Sequence, residues 1–359
     1  MPTDPSSPAI PDAPVAPCGA TPTAGVRPGR RLLEVWPGWG ERFVATICLG
    51  TSISLTMFGL AAAAGMWAGA VDYAAVSAVP RVLPRSLPYG KGMWIWQPEQ
   101  TEGNDAQAIV ARASATGLTH LYVRTGSSWD GFYAGPFLDR ILPIAHAAGI
   151  RVYGWDFPRL ISPADDVARA HAAVAYRTPT GHHIDGFAAD IETASEGTHV
   201  SAESATAYGD ALRQAVGPSA PLVAVVPRPS PWTTSISYPF AQVVADFDAI
   251  APMVYWFNRE PGSDVAGALA DLRGYGKPLF PVGQAFDGGP EGGRPGVPPP
   301  AELHRFFEVS SQQGAEGVSF WSWQGADQQV FDTIRDAPEF RTDAGGSDAV
   351  IQVRLSPHP

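Results

Sequence analysis

Cysteine is scarce in this chain of 359 residues: only Cys18 and Cys48 occur. Nothing after residue 48 can therefore be stapled by a disulfide, and neither compartment nor redox role can be read from thiols. Cys18 follows no apolar run, which excludes a lipid-attachment reading. Basic residues are also few, 24 Lys and Arg against 35 Asp and Glu, for a net charge of −11. Phosphate backbones and acidic lipid surfaces both select basic proteins, so no nucleic-acid partner is expected. The eight histidines fall in no ligand spacing, with His182 and His183 side by side in a turn, so neither metal nor cofactor is expected. What the chain has in quantity is apolar residues, 45% of the total, enough for a large core.

Those residues are distributed unevenly. Residues 1–42, rich in Pro, Ala, Gly and Thr without apolar periodicity, read as a disordered cytoplasmic tail. No charged residue occurs between Phe43 and Val71. That run exceeds the roughly 20 residues needed to span a bilayer and predicts a single transmembrane helix acting as a signal-anchor. A buried core helix is the alternative. Arg27, Arg30, Arg31 and Arg42 precede it and Arg81, Arg85 and Lys91 follow, which favours an inside N-terminus. The rest of the protein would then lie outside the cytoplasm at the cell membrane, held there by its own helix; small residues near Ala70 and Ala78 leave cleavage open. Residues 72–91, with three prolines, read as a stalk, and residues 339–359 as a flexible tail.

Between them, residues 92–338 alternate strand and helix eight times. The strand-like runs are Met93–Trp96, Leu118–Thr125, Ile150–Phe157, Gly186–Glu192, Leu222–Pro227, Phe247–Trp256, Leu279–Phe286 and Val318–Trp323. Ser162-Pro163 and Ser201 mark helix starts, while Gly117, Gly149 and Gly314 mark helix ends. Eight βα units in about 250 residues predict an α/β fold of the (β/α)8 TIM-barrel kind. A doubly wound open sheet is the rival, but no glycine-rich phosphate loop follows the first strand.

Active sites of such barrels lie at the C-terminal ends of the strands. Those ends carry Trp94 and Trp96, Arg124, Asp156, Asp190 and Glu192, Arg228, Tyr255, Gln284 and Asp287, and Trp321 and Trp323. Asp190 and Glu192, at i and i+2 of one strand, should face the same way roughly 7 Å apart. Holding two carboxyls in a closed site pushes their pKa values apart and suits one to act as an acid. Aromatic faces stack on sugar rings while polar groups bond hydroxyls and amides, so the mixture points to a polysaccharide or other glycan as partner. Each has a blander reading: the acids could pair with Arg124 or Arg228, Asp156 could cap a helix, the indoles could be core, and Asp287 could be a turn residue opening a long loop.

The run Asp185-Gly186-Phe187-Ala188-Ala189-Asp190-Ile191-Glu192 resembles the fourth-strand motif Asp-Gly-x-Asp-x-Asp-x-Glu of glycoside hydrolase family 18, the chitinase-like barrels. Ala188 stands where the family's middle Asp would be. Met253-Val254-Tyr255 is similar to that family's sixth-strand end, with Trp256 where an Asp often follows. Gly317-Val318-Ser319-Phe320-Trp321 is similar to its eighth strand. Asp190-Ile191-Glu192 also resembles the Asp-x-Glu of family 25 lysozyme-like barrels, although Met93-Trp94-Ile95-Trp96 lacks their first-strand Asp. The family 18 resemblance implies that Glu192 is the general acid, and that Asp190 orients a 2-acetamido group whose oxygen attacks the anomeric carbon. It further implies that Tyr255 bonds that oxygen, Trp321 floors the subsite and Asp185 supports the strand end. With Asp185, the strand-end residues Trp323, Trp96, Arg124, Asp156, Arg228 and Gln284 are further substrate-binding candidates.

The expected function is therefore a membrane-tethered, extracytoplasmic glycoside hydrolase acting on N-acetylhexosamine glycan by substrate-assisted retaining hydrolysis. Two alternatives remain open. Ala188 and Trp256 would also suit a non-catalytic glycan-binding barrel. The other is a different glycosidase: a lysozyme-like or other enzyme acting on cell-wall polysaccharide, or a hydrolase that sets Asp156 or Asp287 opposite Glu192 as a carboxylate nucleophile on glycans lacking an acetamido group.

Overall fold

The computed structural model describes residues 87–340. Eight parallel strands close into a barrel: Gly90–Ile95, His120–Arg124, Arg151–Asp156, Gly186–Asp190, Leu222–Pro227, Ala249–Val254, Val282–Gln284 and Gly317–Trp321. They neighbour one another in chain order, and the first closes on the eighth with Gly90 opposite Gly317 and Met93 opposite Phe320. The crossovers carry helices α1 (Ala106–Ala115), α2 (Gly135–Ala147), α3 (Pro163–Ala175), α4 (Ala202–Val216), α5 (Pro231–Ser235), α6 (Phe240–Val244), α7 (Pro261–Leu272) and α8 (Pro300–Gln312), and α9 (Gln328–Asp336) follows the last strand. A two-stranded hairpin, Gly126–Ser127 with Gly131–Phe132, rises from the loop after the second strand. The TIM-barrel expectation holds, and all eight expected strands are present.

Strand alternation divides the apolar residues into two cores. Met93, Ile95, Val152, Phe187, Ala189 and Phe320 face outward and pack under the helices. Trp94, Tyr122, Tyr153 and Trp155 face inward from the first three strands, opposite the smaller Ala188, Val223, Val225, Ala249 and Ala251 from the next three. Large side chains on one wall are thus accommodated by small ones on the other, which fills the lumen instead of leaving a pore. The Trp94 and Tyr122 rings lie 3.9 Å apart and 6° from parallel. The Trp94 indole N–H donates to Ser319 Oγ at 2.9 Å, and that of Trp155 to the Ile95 carbonyl at 3.1 Å, so burying both indoles leaves no donor unmatched. Lower in the lumen, Gly92 has no side chain because none fits: a Cβ there would come within 2.0 Å of His120 Nε2.

Helix boundaries follow the expected signals closely. Ser201 forms a capping box with Ser204, and α3 starts at Pro163 behind Ser162, though the Ser162 side chain makes no capping bond. Gly117 and Gly149 take φ of +72° and +73° just beyond α1 and α2, a conformation that costs glycine little. The barrel begins before residue 92: Leu87 and Tyr89 are buried beneath the first strand, so the last residues of the expected 72–91 stalk belong to it. Glu339 accepts a bond from buried Lys91, and Phe340 packs near Phe307, so the expected 339–359 tail starts inside the domain too. The expected 1–42 tail and the expected 43–71 transmembrane segment lie outside the described residues. Among those described, no helix is long and apolar enough to cross a membrane.

Candidate active site

The fourth strand sets the site. Its alternation puts Ala188 in the lumen and Phe187 and Ala189 in the outer core. Sheet pairing continues past its end, where the Ile191 N–H donates to the Val225 carbonyl at 3.0 Å. The Tyr238 hydroxyl donates to the Ile191 carbonyl at 2.6 Å and pins the same residue from outside. Held this way, the strand carries Asp190 and Glu192 to the inner face together. Both are buried, 4% and 5% exposed. The sequence offers no cation between them, and Asp190 Oδ1 has no hydrogen-bond partner among the described residues.

Burial governs how these acids titrate. It lifts the Asp190 carboxyl to about 7; the Arg124 guanidinium opposes the shift, and the charges of Asp156 and Glu196 add to it. Glu192 is held well above the usual carboxylate range, first by burial and then by Asp190 and Glu196, with a Thr193 backbone bond opposing. Two adjacent carboxyls in an apolar cup therefore keep at least one proton near neutral pH. The Tyr255 hydroxyl is pushed far up by burial, with Asp190, Glu192 and Glu291 adding, and stays a donor.

Three half-buried aromatics, Trp96, Tyr255 and Trp321, pack on top of the lumen cluster. Trp321 stands edge-on to Trp155 at 5.3 Å and 6.1 Å from Trp94. Tyr255 is braced edge-on by Phe286 at 5.3 Å. Arg124, 8% exposed, lies 5.7 Å over the Trp155 ring. The result is a cup with an indole floor and two acids and a phenol on its wall.

Several expected site residues lie elsewhere. Asp156 ends the third strand on the outward face, fully buried, and pairs with Arg169 of α3 at 2.6 Å. Burial raises it to about 6 against the pull of Arg169. Arg228 is one residue past the fifth strand, also on the outward side, 3.7 Å from Asp264 of α7. Asp185 sits at the opposite end of the barrel, before its strand begins. There it accepts from the Val152 N–H at 2.8 Å and lies 3.0 Å from His146 Nε2. Trp323 does not share the face of Trp321, because the strand ends at Trp321 and the alternation with it. Trp323 joins the outer core beside Phe331, and its indole donates to Glu102 at 3.0 Å. Gln284 faces inward, but its amide is engaged in holding loops: Oε1 accepts from the Phe257 N–H at 2.8 Å and Nε2 donates to the Phe286 carbonyl at 3.2 Å. Asp287 caps its own loop, accepting from the N–H groups of Gly289 and Gly296. Trp256 points outward and donates to Glu302 of α8 at 2.8 Å.

Three residues of the cup were not anticipated. Trp155 is in the floor, and the Tyr153–Trp155 alternation carried that signal. Glu196 and Glu291, on the loops after the fourth and seventh strands, add acid charge; burial and Glu196 raise Glu291 to about 7. No periodicity marks a loop acid, so only the fold could bring them in. Among the described residues, no group of His, Cys, Asp and Glu could hold a metal ion.

No protein-family model matches the sequence, and no curated protein sequence matches it. Among solved structures the chain is similar to an endo-1,4-beta-mannanase from Rhizomucor miehei, with a TM-score of 0.55 and 8% identity over 69% of this chain and 93% of that one. It is also similar to a chitinase from Chromobacterium violaceum, with a TM-score of 0.50 and 12% identity over 69% of this chain and 98% of that one. What is shared is the barrel. At these identities the likeness is one of fold: the chain has a TIM barrel of the kind both of those glycosidases have, and its chemistry must be argued from its own residues.

Proposed function

We propose that the chain is a glycoside hydrolase that cleaves N-acetylhexosamine-containing glycan with retention, using the substrate's own acetamido oxygen as nucleophile. The observation that carries this reading is the pair Asp190 and Glu192, buried side by side in a cup walled by Trp96, Tyr255 and Trp321. Burial and the adjacent Asp190 hold Glu192 well above the usual carboxylate range, which suits it to deliver a proton to the leaving glycosidic oxygen and later to take one from water. Asp190 would accept from the acetamido N–H and Tyr255 would donate to the acetamido oxygen, together orienting it toward the anomeric carbon. Trp321, braced edge-on by the buried Trp155, supplies the apolar floor on which a sugar face would rest. Support also comes from the positions that do not compete: Asp156 is locked to Arg169 and Asp287 to its loop, which leaves neither free to act as a carboxylate nucleophile opposite Glu192.

A general acid contributes roughly 10²–10⁴-fold, so Glu192→Gln should remove nearly all turnover of a chromogenic N-acetylglucosaminide while leaving its affinity close to wild type. Undiminished turnover in that variant rules the assignment out. A second reading, a glycan-binding barrel without catalysis, draws on Ala188: the inward position beneath Asp190 is a buried methyl group flanked by Trp155 and Val223, so no carboxyl relays a proton from below. Binding of N-acetylglucosamine oligomers without cleavage by the wild-type chain would select it. The charge-free 43–71 segment extends the proposal to a barrel held at a membrane outside the cytoplasm. Release of the full chain from membranes by alkaline carbonate would contradict that extension.

A further inference from the structure

The exposed residues of the mouth carry a feature that the cup does not use. Trp129 is 72% exposed, the largest value among the exposed large apolar side chains of the described residues. It is not on a loose tip. Ser127 Oγ accepts from the N–H groups of Trp129 and Asp130 and donates to Asp130 Oδ2 at 2.9 Å, which fixes the hairpin turn. The hairpin's exit is tied down where the Tyr133 and Ala134 N–H groups donate to the Thr125 carbonyl. Over the indole, 5.4 Å from the ring centroid, lies the guanidinium of Arg159 from the loop after the third strand. Among the described residues no carboxylate comes within ion-pair distance of Arg159. Its one side-chain bond is from Nε to the Gly197 carbonyl, at 3.4 Å. Three further arginines at the mouth, Arg228, Arg259 and Arg294, have acid partners.

We infer that Trp129 and Arg159 form an outer subsite for a carboxylate-bearing sugar of the same glycan that occupies the cup. The inference rests on the reading of that cup as a glycan site. The guanidinium lies over one side of the indole, and with 72% of Trp129 exposed the rest of the ring is open to the apolar face of such a unit while the planar fork takes the carboxylate in a bidentate pair. The subsite is also joined to the chemistry through the Arg159–Gly197 bond. Gly197 is five residues from Glu192, so the two are at most about 18 Å apart. A chain with net charge −11 repels acidic polymers at long range, so accepting one calls for a local cation that no described carboxylate neutralises. Arg159 is such a cation.

Two sources supply the chemistry, a uronic acid or a sugar bearing a lactyl ether, and one experiment separates them. The full chain carrying Glu192→Gln is titrated calorimetrically, at low salt, with three hexasaccharides. One is all N-acetylglucosamine, one alternates it with glucuronic acid, and one alternates it with N-acetylmuramic acid. At least one acidic oligomer should bind about tenfold more tightly than the neutral one, the order of a single charge-assisted pair. The preference should vanish in Arg159→Gln, persist in part in Arg159→Lys and shrink with added salt, while Trp129→Ala weakens all three ligands. Which acidic oligomer wins identifies the source. Equal affinity for all three, or a preference that survives Arg159→Gln, overturns the subsite and leaves the cup standing. Failure of every oligomer to bind overturns both.

Discussion

Replacing Asp190 with Asn should stabilise the protein at alkaline pH and leave it nearly unchanged in acid. The folded-state value of about 7 lies about three units above the ordinary 3.8. At about 1.4 kcal/mol per unit, that is about 4 kcal/mol. The direction follows from which state holds the proton. Below about pH 4 the carboxyl is protonated both folded and unfolded, so it contributes nothing to the difference. Between about 4 and 7 the folded protein keeps a proton that the unfolded chain has released, so stability falls as the pH rises, and above about 7 the loss is complete. Asn cannot ionise and escapes that loss. Glu192 shares the buried environment and the two acids titrate as a pair, which makes the full figure an upper bound. Urea denaturation of both proteins at pH 4 and pH 8 measures the effect. Asp156 and Glu291, which titrate at about 6 and about 7, are present in both and cancel in the comparison. The Asn variant should gain between about 1 and 4 kcal/mol over wild type at pH 8 and almost nothing at pH 4. Equal stability at both pH values would show that Asp190 is not buried as described, and the electrostatic account of the cup would fall with it.

Two further substitutions test the packing around the site. Gly92→Ala drives a methyl group into the buried His120 ring and should cost about 1–3 kcal/mol, read as a lowered urea midpoint with an unchanged m-value. An unaltered midpoint would mean that the lower lumen is looser than the contact implies. Ala188→Asp puts back the carboxyl that the fourth-strand motif lacks, but between Trp155 and Val223 it would be buried in the lumen. It should destabilise by on the order of 3 kcal/mol, more at pH 8 than at pH 5, without raising turnover. A gain in turnover would instead mean that the relay was merely missing a part.

The sequence made the barrel legible because each strand carried its own apolar run and several helices carried their own start or stop signals. The Asp190–Glu192 pair was legible for the same reason: alternation within one strand is a local property. What alternation cannot supply is the point where a strand ends. Asp156 and Arg228 fall on the outward side of their strand ends, so both face helices. Trp323 lies beyond the end of its strand, where the two-residue rule no longer applies. Asp185 opens its strand instead of closing it and so lies at the far end of the barrel, whatever motif it belongs to. Glu196, Glu291, Trp129 and Arg159 sit on loops, whose meeting depends on the closure of the whole sheet and on nothing in their own neighbourhoods.

The most direct measurement is a crystal structure of the Glu192→Gln chain soaked with an N-acetylglucosamine oligomer. A sugar stacked on Trp321, with the amide introduced at position 192 within hydrogen-bond reach of a glycosidic oxygen and the acetamido group between Asp190 and Tyr255, is the predicted result. An oligomer bound away from the cup, or an acetamido group turned away from Asp190, would contradict the account.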